Sequence, residues 1–153
     1  MYTGYADCVP LFFYDPKEEV AAMAHSGWRG TVKRIGEKMV GVMEKEYGCQ
    51  RGNIIEAIGP SICRACYEVS QDVAEAFRKE LIGHEETEYM DEKGNGKFQL
   101  DLWKANEIIL LEAGIRKEHL DVTALCTCCN SDLLFSHRAS KGKRGNLGAF
   151  IML

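Results

Sequence analysis

Residues 8–30, CVPLFFYDPKEEVAAMAHSGWRG, decide the fold of this chain. Their first part, residues 9–14, is a short apolar run that ends at Asp15-Pro16, and a second apolar run covers residues 20–24. Short apolar runs bounded by turn residues are typical of buried strands, and the linker DPKEE has the length of a hairpin loop. We therefore predict that the two runs pair as a β-hairpin.

This hairpin would place a thiol beside an imidazole. Cys8 begins the first strand and His25 ends the second, so pairing brings both to one rim of the sheet. Thiolate and imidazole together can ligate zinc or copper. Alternatively, the imidazole can stabilise a thiolate nucleophile, or both side chains can simply pack. The pattern alone leaves these three interpretations open.

The segment after His25 suits the binding of an anion. Its glycines allow a substrate to approach the backbone closely, and Arg29 can hold a phosphate through two parallel hydrogen bonds. Arg138, in the segment FSHR, is a second candidate for phosphate. Trp28 is expected in the core or in a pocket wall.

The remaining chain mixes strands and helices without strict alternation. We predict helices that follow the caps Thr31, Ser70 and Asp101 and end near Gly48, Ile82 and Gly114. Strands are predicted at residues 54–58, 98–100, 120–125 and 147–153, a loop at 85–96 and a helical turn at 132–137. This order predicts an α+β fold with a mixed sheet, in one domain over residues 1–153.

Composition narrows the functional classes. The net charge is −4 with 27% charged residues, and this disfavours a nucleic-acid binder. No apolar run has the roughly 18 residues that span a bilayer, and no signal peptide precedes the first strand. We therefore expect a cytoplasmic protein with no membrane partner, in which the seven cysteines are reduced thiols.

Five of these cysteines form two groups. Cys63 and Cys66 are a C-x-x-C pair, and Cys126, Cys128 and Cys129 follow 60 positions after Cys66. Paired cysteines suggest structural zinc, but this separation is far longer than in a zinc ribbon. The sequence therefore favours small buried thiols near the rim of the active site, with a structural zinc site as the alternative.

Several motifs taken together resemble one known family. The segments are ADCVPLFFYD, AHSGWRGTV, IGPSICRACYEV, LDLWKAN, CTCC and LLFSHR, in the order of the laccase-domain family of bacteria and animals. The resemblance runs from about residue 5 to the last residue. It implies a layered α/β/β/α fold like that of the deamidase domain of the cytotoxic necrotizing factor toxins.

The resemblance also implies an activity. Members of the family are described as purine nucleoside phosphorylases, which split adenosine, inosine and methylthioadenosine with phosphate and also deaminate adenosine. Their metal, usually zinc, is held by His, Cys and His, of which Cys8 and His25 match the second and third. The first His belongs to a Val-His-Gly motif, and no His precedes His25 here. We therefore expect the family's N-terminal third to be absent, and a homo-oligomer or a separate segment to be possible partners.

The sequence leaves three alternative functions open. Relatives have been described as copper-dependent polyphenol oxidases, although four histidines are few for a multicopper site. Cys8 and His25 could instead form a metal-free hydrolase pair, as in the toxins. The chain could also be a non-catalytic part of an assembly.

Overall fold

A computed structural model describes all residues, 1–153. Its strands are β1 (Tyr2–Tyr5), β2 (Val9–Asp15), β3 (Val20–Ser26), β4 (Ile55–Ile58), β5 (Glu68–Ser70), β6 (Met90–Gly94), β7 (Lys97–Leu100), β8 (Leu120–Val122) and β9 (Leu147–Phe150). Its helices are α1 (Trp28–Val32), α2 (Ile35–Tyr47), α3 (Gln71–Glu80), α4 (Glu86–Tyr89) and α5 (Leu102–Glu112).

The predicted hairpin is confirmed. Strands β2 and β3 pair antiparallel, with Val9 opposite Ser26 and Asp15 opposite Val20. The Asp15 carboxylate accepts hydrogen bonds from the N–H groups of Lys17 (2.9 Å) and Glu18 (3.3 Å), so the turn is held by the aspartate that begins it.

The hairpin belongs to a mixed four-stranded sheet in the order β3-β2-β4-β8. Strand β4 is antiparallel to β2 but parallel to β8. A three-stranded sheet, β5-β7-β6, and the pair β1-β9 complete the strands. The predicted α+β class with a mixed sheet is therefore confirmed.

The helices cover the sheets with their apolar faces. Helix α2 packs on β3 and α5, whereas α3 packs on β5 and β7. One cluster of 28 buried residues joins these layers, and Leu11, Phe13 and Ile58 of the central strands are fully buried in it. No helix of the chain has the length and apolar character needed to cross a bilayer.

The prediction that Thr31 caps a helix is wrong. Helix α1 begins after Gly27, and Thr31 lies buried within it, where its hydroxyl bonds to the Gly27 carbonyl (3.1 Å). Arg34 then adopts a left-handed conformation (φ 55°), which separates α1 from α2. A Thr side chain can satisfy backbone groups inside a helix as well as at its start, and the sequence did not distinguish the two.

The predicted loop at residues 85–96 is also wrong, because it contains α4 and β6. The polar residues of this segment gave no indication that Tyr89 and Met90 belong to the core, where they are only 2% and 1% exposed. Glu85 and Glu88 form a reciprocal capping box at the start of α4. By contrast, the cap Asp101 is confirmed, since its carboxylate accepts the N–H of Lys104 at 3.0 Å.

The ends of several elements differ from prediction. Strand β8 stops at Val122 and β9 at Phe150, and residues 132–137 form turns and irregular chain rather than a helix. Strand β1, which the sequence did not predict, pairs with β9, with Tyr2 opposite Phe150.

Candidate active site

Asp7 fixes the backbone immediately before Cys8. It is buried and adopts a left-handed conformation (φ 74°), which Asp tolerates better than most residues. Its carboxylate accepts the Thr127 hydroxyl and the Arg138 backbone N–H, both at 2.7 Å, and its carbonyl accepts the Ile62 N–H at 3.0 Å. Three distant segments thus meet at the residue next to Cys8. No pattern in the sequence singled out Asp7, although it belongs to the ADC motif.

Cys8 lines a small cavity of about 170 Å³. The other lining residues come from the two ends of the hairpin, from the start of α1, from the segment after β4 and from α5: Asp7, Gly27, Trp28, Arg29, Ile62, Tyr67 and Leu102. The wall is mostly apolar, with the thiol and the Arg29 guanidinium as its main polar groups. Trp28 is therefore part of a pocket wall, as predicted, and it also packs against the core.

The environment of Cys8 does not favour a free thiolate. Burial and then the Asp7 carboxylate raise the pKa of the Cys8 thiol, and the positive charge of Arg144 only partly opposes them. A nucleophilic cysteine needs a lowered pKa. A bound cation would supply the missing positive charge, because metal ligation requires and stabilises the thiolate.

His25 lies on β3 opposite Pro10 of β2. The neighbouring pair is Val9 and Ser26, and Val9 directly follows Cys8. The hairpin therefore brings His25 and Cys8 to the same rim, although His25 is exposed and does not line the cavity. Its Nδ1 lies 3.4 Å from the Thr3 hydroxyl, which leaves Nε2 available to a metal. Partial desolvation lowers the pKa of His25 and so favours the neutral, ligating form.

Cys8 and His25 offer donors suited to zinc or copper, but they are only two. The structure gathers three or more His, Cys, Asp or Glu side chains at one place only, and that place does not include them. Catalytic zinc generally has three protein ligands. Cys8 and His25 therefore offer the donor types that zinc and copper prefer, but one ligand fewer than a catalytic zinc site generally has.

The two candidate phosphate ligands differ in their surroundings. Arg29 is exposed, lines the cavity and stacks on Trp28, with its guanidinium carbon 4.3 Å from the ring centroid. Arg138 bonds the Glu68 carbonyl at 2.9 Å and lies 5.5 Å from the Tyr67 ring centroid. Its guanidinium is thus partly engaged, whereas no protein hydrogen bond holds that of Arg29.

Tyr67 was not predicted as a site residue. Burial raises its pKa to about 12, so the hydroxyl stays protonated at neutral pH and can donate a hydrogen bond. It lies in the cavity wall, directly after the Cys63–Cys66 segment. Its place within the quoted motif IGPSICRACYEV was the only sequence signal for it.

A buried polar network holds the loop that follows His25. The Ser26 hydroxyl donates to the Asn106 side chain at 2.8 Å and lies 2.9 Å from the Thr31 hydroxyl. Asn106 is 1% exposed and is the one buried polar residue of α5. A lone polar residue on an apolar helix face needs partners, and this signal could have found it.

Four of the seven cysteines meet at one place. The sulfur atoms of Cys63, Cys66, Cys126 and Cys129 all lie within 4.8 Å of one another. Of these four only Cys126 is buried, so the expectation of small buried thiols is wrong for Cys63, Cys66 and Cys129, which are half-buried or exposed. The long gap is closed by a parallel bridge between Ser61 and Cys126, which joins the chain after β4 to the chain after β8. Adjacent parallel strands make such distant residues neighbours.

Comparison with known proteins identifies the family. The family model described as multi-copper polyphenol oxidoreductase laccase matches residues 1–153. The chain belongs to this family. It is the laccase-domain family that the motifs resemble, so the resemblance is confirmed.

Two relatives within the laccase-domain family carry the same functional name. The purine nucleoside phosphorylase YlmD of Bacillus subtilis is 40% identical over 147 residues, which are 96% of this chain and 52% of that protein. A purine nucleoside phosphorylase of Bacteroides thetaiotaomicron is 37% identical over 97% of this chain and 54% of its own length. The chain thus spans about half the length of the curated relatives it matches.

Solved laccase-domain structures agree with the fold. The crystal structure of YlmD from Geobacillus stearothermophilus superposes with a TM-score of 0.92 at 36% identity, over 97% of this chain and 55% of that one. The hypothetical protein YfiH of Bacillus licheniformis gives 0.92 at 35% identity, over 96% and 55%. The close match supports the assignment of this chain to the laccase-domain fold.

Proposed function

We propose that this chain forms part of the active site of a metal-dependent purine nucleoside phosphorylase that also deaminates adenosine. The observation that carries the proposal is the cavity that Cys8 and Arg29 both line, at the rim of the sheet that His25 shares. The functional name of the relatives supports the reaction class. Adenosine, inosine and methylthioadenosine are the proposed substrates.

Cys8 and His25 would hold the metal, zinc in the first place and copper as the alternative. The metal would supply a Lewis acid at the rim of the cavity. Arg29 would bind phosphate as a bidentate donor at the cavity mouth, and Arg138 is the second candidate. The Tyr67 hydroxyl could donate a hydrogen bond to the bound nucleoside, and the apolar wall would exclude water from it.

The size of the cavity limits how much of the substrate this chain can enclose. A volume of about 170 Å³ is well below the ~300 Å³ of the smallest usual ligand pockets. It suits a phosphate and the reacting end of a nucleoside rather than the whole molecule. The remaining contacts would then come from outside these residues, as would the remaining metal ligand.

The test is an assay of the zinc-loaded protein with inosine and phosphate, in the full-length form or assembly that completes its metal site. Phosphorolysis gives hypoxanthine and ribose 1-phosphate only when phosphate is present, whereas deamination of adenosine releases ammonia without it. We expect Cys8→Ala to abolish both reactions together with metal binding at the rim. Full turnover by Cys8→Ala would refute the assignment of Cys8 as a metal ligand of the active site. Oxygen uptake with a phenol after copper loading would instead favour a copper-dependent polyphenol oxidase.

Arg29 is tested separately. We expect Arg29→Gln to raise the KM for phosphate by roughly tenfold or more, since a charge-assisted bidentate contact is worth about 1.5–3 kcal/mol. The KM for inosine should change much less. Arg51→Gln is the matched control, because Arg51 pairs with Glu44 and does not line the cavity. Equal KM values for phosphate in Arg29→Gln and the parent would show that Arg29 does not bind phosphate.

A further inference from the structure

The four clustered cysteines have the arrangement of a closed metal site. Cys63 precedes a short 3-10 helix that Cys66 ends, and Cys126 precedes a turn after β8 that contains Cys129. The Cys129 sulfur lies 3.5 Å from that of Cys66 and 3.9 Å from that of Cys63. Each turn contributes two sulfurs with two residues between them, which is the spacing that structural zinc sites use.

Two of the six sulfur–sulfur distances are close to the edge of a tetrahedron around zinc, and all six are within 4.8 Å. A Zn–S distance of about 2.3 Å gives tetrahedral S–S edges of about 3.8 Å. Both measured separations lie within 0.3 Å of that value. A disulfide needs about 2.05 Å between its sulfurs, so none of the cysteines is bonded to another.

The backbone around the cluster is arranged to receive a thiolate. The N–H groups of Cys63 and Cys129 both point at the Cys126 sulfur, each at 3.3 Å. Sulfur is a weak acceptor when it is neutral and a better one when it is charged, so two such bonds favour the ionised form that metals bind. Cys126 is itself buried, which keeps water from the inner side of the cluster.

We propose that Cys63, Cys66, Cys126 and Cys129 bind a structural zinc ion that is distinct from the metal proposed at Cys8 and His25. Four thiolates in a tetrahedron select zinc among common divalent metals and leave no open position for a substrate. Binding releases the thiol protons and joins two turns that are far apart in the sequence.

The site lies directly behind the active-site cavity. Ile62 precedes Cys63 and Tyr67 follows Cys66, and both line that cavity. Thr127, which follows Cys126, donates to the Asp7 carboxylate beside Cys8. The zinc would therefore hold the back wall of the cavity in place without contacting substrate.

The experiment measures zinc in the full chain, purified under reducing conditions without added metal. The Cys8→Ser variant removes the proposed rim metal, so any zinc it retains reports the cysteine cluster alone. Cys66→Ser in that background removes one ligand of the cluster. Cys128→Ser is the matched control, since this neighbouring half-buried thiol lies outside the four. Cys66 is preferred to Cys129 for removal because Cys128 could replace its immediate neighbour.

We expect Cys8→Ser and the Cys8→Ser/Cys128→Ser double variant to hold about one equivalent of zinc, and the Cys8→Ser/Cys66→Ser variant to lose it. Cobalt substituted into Cys8→Ser should give the absorption of a tetrahedral thiolate site. A strong chelator should lower the melting temperature of Cys8→Ser, a readout that needs no variant of the cluster to fold.

Three results would overturn the proposal. The first is that Cys8→Ser retains no zinc while the metal-free parent chain shows all seven thiols by titration. The second is a loss of two or more thiols to disulfides, and the third is iron or copper in place of zinc. None of them depends on nucleoside turnover, so failure here is distinguishable from failure of the proposed phosphorylase activity.

Discussion

Gly27 approaches the thiol of Cys8 more closely than a side chain would permit. A Cβ at this position would lie 2.9 Å from the Cys8 sulfur, whereas its backbone (φ −72°, ψ 172°) suits any residue. We expect Gly27→Ala to displace the sulfur and to lower phosphorolysis roughly tenfold or more with little loss of stability, because small misplacements of reacting groups are costly.

The control for this variant is Gly41→Ala, within α2. A Cβ at Gly41 meets nothing within 4 Å, so this change should leave activity intact and raise stability by up to about 1 kcal/mol. Steady-state kinetics and urea unfolding of both variants make the comparison. Parental activity in Gly27→Ala would show that the sulfur can move without consequence.

Glu56, on β4, makes stability depend on pH. It is 1% exposed, neither carboxylate oxygen has a hydrogen-bond partner, and burial raises its pKa to about 9. Between the ordinary pKa of about 4.3 and that value, the folded chain holds a proton that the unfolded chain has released. Folding stability attributable to Glu56 should therefore be full at low pH and fall as pH rises through this window, by at most about 1.4 kcal/mol per pH unit.

Glu56→Gln should remove this component and unfold at a higher urea concentration than the parent at pH 8. Urea midpoints measured from pH 5 to pH 9 would show it, with Glu118→Gln as a control at an exposed glutamate. The same pH dependence in Glu56→Gln and the parent would mean that other groups are responsible.

At the scale of the elements, one arginine connects three helices. Arg34, between α1 and α2, pairs with Glu37 of α2, with Glu80 of α3 at 3.2 Å and with Glu112 of α5 at 2.7 Å. We expect Arg34→Gln to lower the free energy of unfolding by about 1 kcal/mol, because a network exceeds the value of a single exposed pair. Glu37 and Glu80 would lose their arginine partner, whereas Glu112 would keep its bond to His84.

Salt provides the check on this expectation. The loss in Arg34→Gln should shrink in high salt, where the parent network is itself screened. Lys45→Gln, which breaks the isolated and exposed pair with Glu46, should change stability by only a few tenths of a kcal/mol. Equal effects of the two substitutions would show that the Arg34 network adds nothing beyond a surface pair.

Elements with local signals were predictable from the sequence, and the others were not. The β2–β3 hairpin and the cap at Asp101 depend on neighbouring residues, and both are present in the structure. Strand β1 forms because it pairs with β9, which is distant in the sequence. Strand β6 is held in place by the packing of its first residue, Met90, in the core. Tertiary packing thus overrode a weak or polar local pattern.

At the scale of the whole molecule, the candidate site also has features that follow from local sequence and features that depend on tertiary contacts. The hairpin register made the nearness of Cys8 and His25 predictable, because it follows from counting along two strands. The roles of Asp7, Tyr67 and the four cysteines were not predictable in this way. The bond from Thr127 to Asp7 and the meeting of the cysteines depend on a parallel neighbour, β8, whose position beside β4 no local pattern reveals. Tyr67 depends instead on its carbonyl bond from Leu100 of β7.

The bonds of Asp7 also set the order of folding. They span 120 positions to Thr127 and 131 positions to Arg138, so closing them costs more chain entropy than closing the hairpin does. During synthesis the β2–β3 hairpin can therefore form before Thr127 and Arg138 are available to Asp7. The backbone next to Cys8 can be fixed only afterwards, so this side of the cavity should be among the last parts of the fold to become ordered.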